Sequence, residues 1–282
     1  MKNDRSRLFA YLETRLYWGE GVTANMLGNA FGLARQNAQK VISEYTRQFP
    51  DNIQYDASKK MQVMGNSFHA HYIRVEPERY LDYLRGVDAV ARYWAETEWN
   101  EVMFEDIDRQ IRPSQNTEIV KTVLSAIQNE QVISIFYQSK FSAQLREISP
   151  HHLVYAGRRY HVRAYCHLLN MYLDFVLPRI LQVEASTTPW VSYHEDTQWN
   201  QWTDMRFEIN PDLPEHVICT LQLDNSLGTG TTRTINTRQA MIAYIRREME
   251  RIDWKEKKRL WLEVPDNLHS TSTFDEVKNT GD

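Results

Sequence analysis

Cysteine is almost missing from this chain. Cys166 and Cys219 are the two thiols in 282 residues, too few for a disulfide framework or a zinc site built on thiolates. Both stand in apolar, strand-like runs where buried free thiols are ordinary. No apolar stretch approaches the ~20 residues that a membrane span needs. Met1-Lys2-Asn3-Asp4-Arg5 leads into charged amphipathic sequence rather than the apolar core of a leader peptide, which predicts a cytoplasmic protein with no membrane partner. Glycine is also scarce, at ten residues, and none forms a phosphate-cradling loop. GxSxG, HExxH and carboxylates at metal-binding spacing are missing as well. These absences argue against an enzyme, and no catalytic residue, metal ligand or cofactor is assigned.

What is present suffices for packed cores. Apolar residues make up 42% and aromatics 12% of the chain, which at this length predicts two or three domains. The total of 33 Lys and Arg against 37 Asp and Glu neither demands nor forbids a polyanionic partner. The distribution is more informative. Residues 1–65 carry nine basic and six acidic side chains, residues 66–110 five and ten, and residues 131–180 six and two. Two positive modules therefore flank an acidic connector, as local anion binding would require.

In the first module Leu8, Phe9, Leu12, Leu16 and Tyr17 form the stripe of an amphipathic helix ending near Gly19. Thr23 reads as an N-cap for a short helix from Ala24 to Phe31, Gly32-Leu33 as a tight turn, and Ala34 as the start of a third helix reaching about Gln48. Ala38, Val41, Ile42 and Tyr45 face inward on that helix, leaving Arg35, Gln36, Asn37, Gln39, Lys40 and Ser43 outside. Arg reads guanine, Asn and Gln read adenine, and Lys attracts phosphate, so these are the side chains of a recognition helix for double-stranded DNA. Ile53-Gln54-Tyr55 and Met61-Gln62-Val63 alternate as strands around a tip carrying Lys59 and Lys60, a wing able to touch phosphates. The predicted DNA-binding set is Thr23, Arg35, Gln36, Asn37, Gln39, Lys40, Ser43, Lys59 and Lys60.

Residues 66–130 read mainly as helix, with Tyr80, Leu81, Leu84, Val87, Ala91 and Trp94 on one stripe and Ile119, Val120, Val123, Leu124 and Ile127 on another. The acidic run from Glu96 to Asp108 reads as a solvated face. His69-Ala70-His71 has a spacing that serves a metal on a strand, but nothing nearby completes a ligand set, and a surface strand is the simpler reading.

The central module is β-rich. Val132 to Tyr137, Arg146 to Val154 and Arg158 to Cys166 read as strands, the last two joined at Ala156-Gly157. Along the third, Tyr160, Val162 and Ala164 point one way and Arg159, His161, Arg163 and Tyr165 the other. Within residues 131–180 only Glu147 and Asp174 are available to neutralise that strip. The surplus charge points to an anionic nucleotide or short nucleic-acid effector, because Arg forks match phosphate and stack on bases.

Three segments here resemble the WYL-domain transcriptional regulators. Tyr160-His161-Val162-Arg163-Ala164-Tyr165 keeps the aromatic, ring and aliphatic character of the namesake strand, without its letters. Ser149-Pro150-His151-His152-Leu153-Val154 looks like the family's Ser-Pro-x-x-Leu-Val strand, and Asp174-Phe175-Val176-Leu177-Pro178-Arg179-Ile180 like its Phe-x-x-x-Arg-Ile strand. Arg159, His161 and Arg163 are most similar to the branch that represses bacterial phage-defence islands of the BREX and CBASS types. The resemblance spans nearly the whole chain, and implies an Sm-like β-barrel with a ligand pocket. Position by position, that pocket takes in Tyr137, Ser139, Arg146, His152, Arg159, His161, Arg163 and Arg179. Leu173 departs from the pattern, since an Arg is implied immediately before Asp174-Phe175.

Farther on, His216 to Leu221 reads as a strand, Arg238 to Asp253 as a helix and Trp261 to Val264 as a closing strand, with a polar, mobile tail from Asn267. The resemblance implies that this region dimerises the chain, placing two recognition helices on a palindromic site. The predicted fold is an α+β multidomain chain. It comprises a winged helix-turn-helix at 1–65, a helical connector at 66–130, an Sm-like β-barrel WYL domain at 131–190 and a small α/β dimerisation extension at 191–282. The predicted function is a homodimeric repressor of a phage-defence operon and its own gene, under an effector in the WYL domain. A sensor of RNA or single-stranded DNA, or a nuclease or phosphodiesterase built on His151, His152 and His161, are the alternatives.

Overall fold

The computed structural model describes residues 2–85 and 107–265, in two units: residues 1–106 with 114–121, and residues 107–113 with 122–282. Val87, Ala91, Trp94, most of the acidic run and the tail from Asn267 lie outside the described residues.

The first unit begins with α1 (Lys2–Tyr17), α2 (Ala24–Phe31) and α3 (Arg35–Gln48). Leu8, Phe9, Leu12 and Leu16 of α1 meet Leu27 of α2 and Ala38, Val41, Ile42 and Tyr45 of α3 in one buried cluster, the outcome that the 3.6-residue spacing dictates. Thr23 caps α2 by accepting a hydrogen bond from the Met26 amide at 3.2 Å. Two glycines make the turn between α2 and α3. Gly32 closes α2 at φ 65°, in the left-handed region, and a Cβ on Gly28 would sit 2.8 Å from the Leu33 carbonyl oxygen.

After a 3₁₀ turn at Pro50–Asn52, β1 (Ile53–Asp56) and β2 (Met61–Met64) pair antiparallel, Ile53 opposite Met64 and Asp56 opposite Met61. Val22, just before α2, bridges to Gln62, which ties the wing to the helical core. Then α4 (Pro77–Leu84) follows, with Pro77 in its first turn. Glu13 holds the stretch between β2 and α4. Its carboxylate is fully buried and accepts from Tyr45 Oη at 3.0 Å and from the amides of His71, Tyr72 and Ile73 at 2.8–3.1 Å. Asn52 extends the network, donating to Tyr45 Oη at 3.0 Å and to the His69 carbonyl at 2.7 Å. Tyr45 on α3 is thereby locked to the backbone that leaves the wing. Burial, together with the Glu13 carboxylate beside it, drives the Tyr45 hydroxyl well above the ordinary phenol range.

Helix α5 (Ile107–Ile111) belongs to the second unit, and α6 (Thr117–Gln128) is divided between the two at Lys121. In the second unit β3 (Ile133–Gln138), β4 (Ala143–Ala156), β5 (Arg159–Cys166), β6 (Met171–Val176) and β7 (Ile180–Ala185) form an antiparallel sheet in the order β6-β5-β4-β3-β7. The predicted barrel is not closed. Strands β6 and β7 are the two edges, separated by a 3₁₀ turn at Leu177–Arg179 in which Pro178 interrupts the expected Asp174–Ile180 strand. Ile133, Ile135, Ile148, Val162, Ala164 and Cys166 are all buried.

A 3₁₀ turn at Tyr193–Glu195 and the short α7 (Thr197–Asn200) lead to β8 (Trp202–Ile209), α8 (Glu215–Asp224), β9 (Thr232–Arg238), α9 (Ile242–Met249) and β10 (Trp261–Val264). The sheet order is β10-β8-β9, antiparallel throughout. Met205, Phe207 and Ile209 alternate inward from β8 against Leu213, Leu221, Met249 and Trp261.

Several expectations are corrected here. His216 to Leu221 is helical, because Val217, Ile218 and Leu221 form an i, i+1, i+4 stripe on the sheet and Pro214 starts the helix. Its β-branched residues favour strand only when no such packing competes. Cys219 is therefore exposed on a helix, while Cys166 is buried. The Arg238–Asp253 helix is shorter than its apolar stripe suggested: Arg238 ends β9, and α9 starts at Ile242. His69-Ala70-His71 forms no strand: the His71 ring stacks on Phe49 at 4.2 Å. No metal-holding cluster of His, Cys, Asp or Glu occurs among the described residues.

Candidate nucleic-acid interface and effector site

The two predicted sites meet different environments. On α3 the apolar side packs into the cluster, so the opposite side must face solvent. Arg35, Gln36, Asn37, Gln39, Lys40 and Ser43 are all exposed, on the first two turns and just beyond. Thr23 is half-buried and spends its hydroxyl on the α2 cap. At the wing tip, Asp56 accepts from the Ser58 amide, the Ser58 hydroxyl and the Lys59 amide at 2.6–3.1 Å. These hydrogen bonds, the Ser58 hydroxyl foremost, hold the Asp56 carboxyl below the usual carboxylate range. Lys60 adopts φ 54°, and both Lys59 and Lys60 are exposed. The tip is thus a shaped turn that presents two ammonium groups. Tyr55 on β1 adds an exposed ring to the same hairpin.

The WYL-type set does not form one open pocket. Arg159 is half-buried on β5, but His161 and Arg163 are buried. Strand β5 is covered on both faces, so its back is no free cationic strip. Arg163 donates Nε to Asp196 Oδ2 at 2.7 Å and Nη2 to Asp196 Oδ1 at 3.0 Å, a bidentate pair. Its Nη1 lies 3.4 Å from Asp174 Oδ1, and Nη2 also reaches Gln198 at 3.3 Å. Asp174 in turn accepts from Tyr244 Oη of α9 at 3.0 Å, and the Tyr244 ring packs against His161 at 5.2 Å. The charge that appeared surplus within residues 131–180 is balanced at Arg163 by Asp196, beyond that window. Glu147, the other acid counted, accepts instead from Ser186 and Thr188 at 2.6 and 2.9 Å.

Burial opposes ionisation of Asp196, but His151, the Arg163 fork and the Trp199 amide outweigh it and lower the carboxyl to about 2. Nothing local in the sequence announces this residue. The one available signal is its position as the N-cap of α7, accepting from the Trp199 amide at 3.1 Å.

Tyr137, Arg146 and Phe175 do come together. The Arg146 guanidinium lies 5.8 Å from the Tyr137 ring and 5.9 Å from the Phe175 ring. With the Gln144 amide oxygen turned toward it, that oxygen accepts from Arg146 Nε at 3.3 Å and Nη2 at 2.9 Å. Tyr137 Oη accepts from the Val176 amide at 3.1 Å. Ser139 organises the β3–β4 turn, donating to the Ser142 carbonyl at 2.9 Å and accepting from the Phe141 and Ser142 amides. Arg179 is half-buried, and its Nη1 is shielded from solvent with no hydrogen-bond partner among the described residues. His152 lies elsewhere, on β4, its ring 4.4 Å from Trp199.

The first unit thus joins a helix-turn-helix with an exposed polar face on α3 to a lysine-tipped hairpin, and the second carries an antiparallel sheet whose cations are partly sequestered. Residues 4–86 match the BrxR transcriptional regulator winged helix-turn-helix domain, and residues 118–185 match the WYL domain. The chain is 27% identical over 245 residues to the DNA-binding transcriptional repressor CapW of Escherichia coli (strain KTE188), covering 86% of this chain and 81% of that protein. It is 28% identical over 247 residues to CapW of Pseudomonas aeruginosa, with the same coverage, 86% and 81%. Proteasome accessory factor B/C of Arthrobacter aurescens gives a TM-score of 0.26 at 15% identity, over 86% of this chain and 48% of that one, so this chain spans less than half its length. The chain carries a BrxR-type winged helix domain and a WYL domain, the modules of a non-enzymatic regulator. No helix among the described residues is long and apolar enough to cross a membrane.

Proposed function

We propose that this protein is a homodimeric DNA-binding transcriptional repressor of a phage-defence operon and of its own gene. On this reading residues 1–65 bind DNA, 66–130 connect, 131–190 sense an effector and 191–282 dimerise. Supporting it, α3 segregates a buried face of Ala38, Val41, Ile42 and Tyr45 from an exposed face of Arg35, Gln36, Asn37, Gln39, Lys40 and Ser43, beside a lysine-tipped wing. Arg35, Asn37 and the glutamines read bases, while Lys40, Lys59 and Lys60 hold phosphates. The relatives named as DNA-binding repressors match over both modules. The effector is an anion of nucleotide or short nucleic-acid class. The half-buried Arg159 on β5 and Arg179 in the turn before β7 remain for it, whereas Arg146 is buried against Tyr137 and Phe175 and Arg163 is committed to Asp196. Its action is by linkage: an effector changes DNA affinity only as far as it prefers one conformation of the dimer.

The test is a mobility shift with DNA from upstream of the protein's own gene, at two salt concentrations, against unrelated DNA. Specific, salt-sensitive retention that Arg35→Ala and Lys40→Ala weaken is the expected result. Equal retention of unrelated DNA would rule out a sequence-specific repressor.

A further inference from the structure

A cavity of about 430 Å³ opens beside His152, lined by Ile127, Glu130, His151, Trp190, Tyr193, Trp199, Asn200 and Arg238. Its volume falls toward the lower end of small-molecule sites. Only His152 among these belongs to the pocket set implied by the family resemblance.

A β-bulge builds the cavity's imidazole wall. The β4–β5 register skips a residue between Pro150 and His152, so His151 and His152 do not take opposite faces as consecutive strand residues otherwise would. Their Nδ1 atoms meet at 2.7 Å, a contact that requires one proton between them. His151 is buried, with Nε2 3.4 Å from Asp196 Oδ2, the carboxylate that Arg163 also engages. Burial, then the neighbouring His151 and Arg238, lower the His152 pKa to about 4, leaving that ring neutral at pH 7. Arg238, the last residue of β9, also lines the cavity. The Arg238 guanidinium lies 4.6 Å from the Trp199 ring and 4.7 Å from the Trp202 ring, and it donates Nη1 to the Trp199 carbonyl. An Arg stacked in this way keeps its remaining in-plane N–H groups for an external acceptor.

Indole and phenol rings, a neutral imidazole, one stacked guanidinium and the Glu130 carboxylate fit a planar heterocycle that carries both an anionic group and hydrogen-bond donors. We propose that this cavity binds a ligand of nucleoside monophosphate class, its ring among Trp190, Tyr193 and Trp199 and its phosphate on Arg238. The proposal rests on the effector reading above and moves its site from Arg159 and Arg179 to the cavity lined by His152 of β4 and Arg238 of β9. A ligand here touches the WYL sheet and the C-terminal sheet at once, so it can bias their packing.

The experiment is calorimetric titration of the full chain with 5′-AMP and 5′-UMP, and with adenosine and inorganic phosphate as the separated halves. The monophosphates are expected to bind at least ~10-fold more tightly than either half, since the stacked ring and the charge-assisted contacts act together. Arg238→Gln and Trp190→Ala should each weaken them ~10-fold or more, Arg238→Lys less than Arg238→Gln, and Arg158→Ala, outside the cavity, not at all. Thermal melts identify any variant that fails to fold, and Trp190→Ala tests the site without disturbing the Arg238 stack. No heat from either monophosphate up to millimolar concentration overturns the proposal. So does binding that survives both cavity variants but is lost in Arg179→Ala, which would return the effector to the predicted set. Mobility shifts on the same preparations separate the two readings. DNA retention without nucleotide binding sinks only this inference, and nucleotide binding without specific DNA retention sinks only the repressor.

Discussion

The outer face of α3 and the back face of β5 carry similar side chains to opposite ends. Arg35 and Lys40 sit on a two-sided helix whose other face is buried, and are left in solvent. Arg163 and His161 also alternate with apolar residues, but a second layer covers them: Asp196 and Asp174 neutralise the guanidinium and Tyr244 packs on the imidazole. Residue type and periodicity locate a face. Whether that face is open depends on what the rest of the chain lays over it.

The largest separation should come from Asp196→Ala, which leaves Arg163 buried without its bidentate partner. Breaking such a pair costs ~3–5 kcal/mol, whereas Arg35→Ala, at an exposed position, should change stability by less than ~0.5 kcal/mol. Urea unfolding of the two variants checks this. Equal midpoints would mean that the β5 cations are as free as those of α3.

Acid should act on the second unit before the exposed face of α3 is affected. An unfolded chain protonates His152 near 6.5, but the folded chain refuses that proton until about 4. The unfolded state therefore binds more protons across this window, and stability falls as the pH drops through it. Asp196 extends the loss: its carboxyl takes up a proton near 3.8 when unfolded and only near 2 when folded. Melts from pH 7 to pH 3 should fall in two stages, and His152→Phe should flatten the first. An unchanged upper stage in that variant would assign the proton to another group.

On DNA the ranking reverses. Arg35→Ala should weaken operator binding by ~1–3 kcal/mol and relax base preference at one position, while Arg163→Ala, if it folds, should act only through stability. Lys59→Ala is expected to give the smallest effect, a uniform loss across sequences with the salt slope lowered by about 1. A sequence-dependent loss at Lys59 would mean that the wing reads bases. Titrations at several salt concentrations measure both.

Much of the first unit was legible in the sequence because its signals are local. The stripe of Leu8, Phe9, Leu12 and Leu16, the Thr23 cap and the glycines of the turn each act within a few residues. Glu13 was not legible. A glutamate on a helix ordinarily faces water, and only the return of residues 71–73 across α1 gives it amides to accept. In the C-terminal region the same limit made a helix of a predicted strand, because the sheet beneath Val217, Ile218 and Leu221 outweighed β-propensity.

The sequence by itself determined the elements governed by short-range periodicity and capping: the three helices, the wing and its two lysines, and most of the WYL strands. It also placed the exposed side chains of α3, since a helix of period 3.6 with one apolar face leaves no choice for the other. Tertiary structure alone decided which cations stay available. Arg163 and Asp196 are 33 residues apart, and a buried charge is tolerated only where a distant carboxylate is folded against it. The same long-range packing left the sheet open and brought His152 and Arg238 into the lining of one cavity.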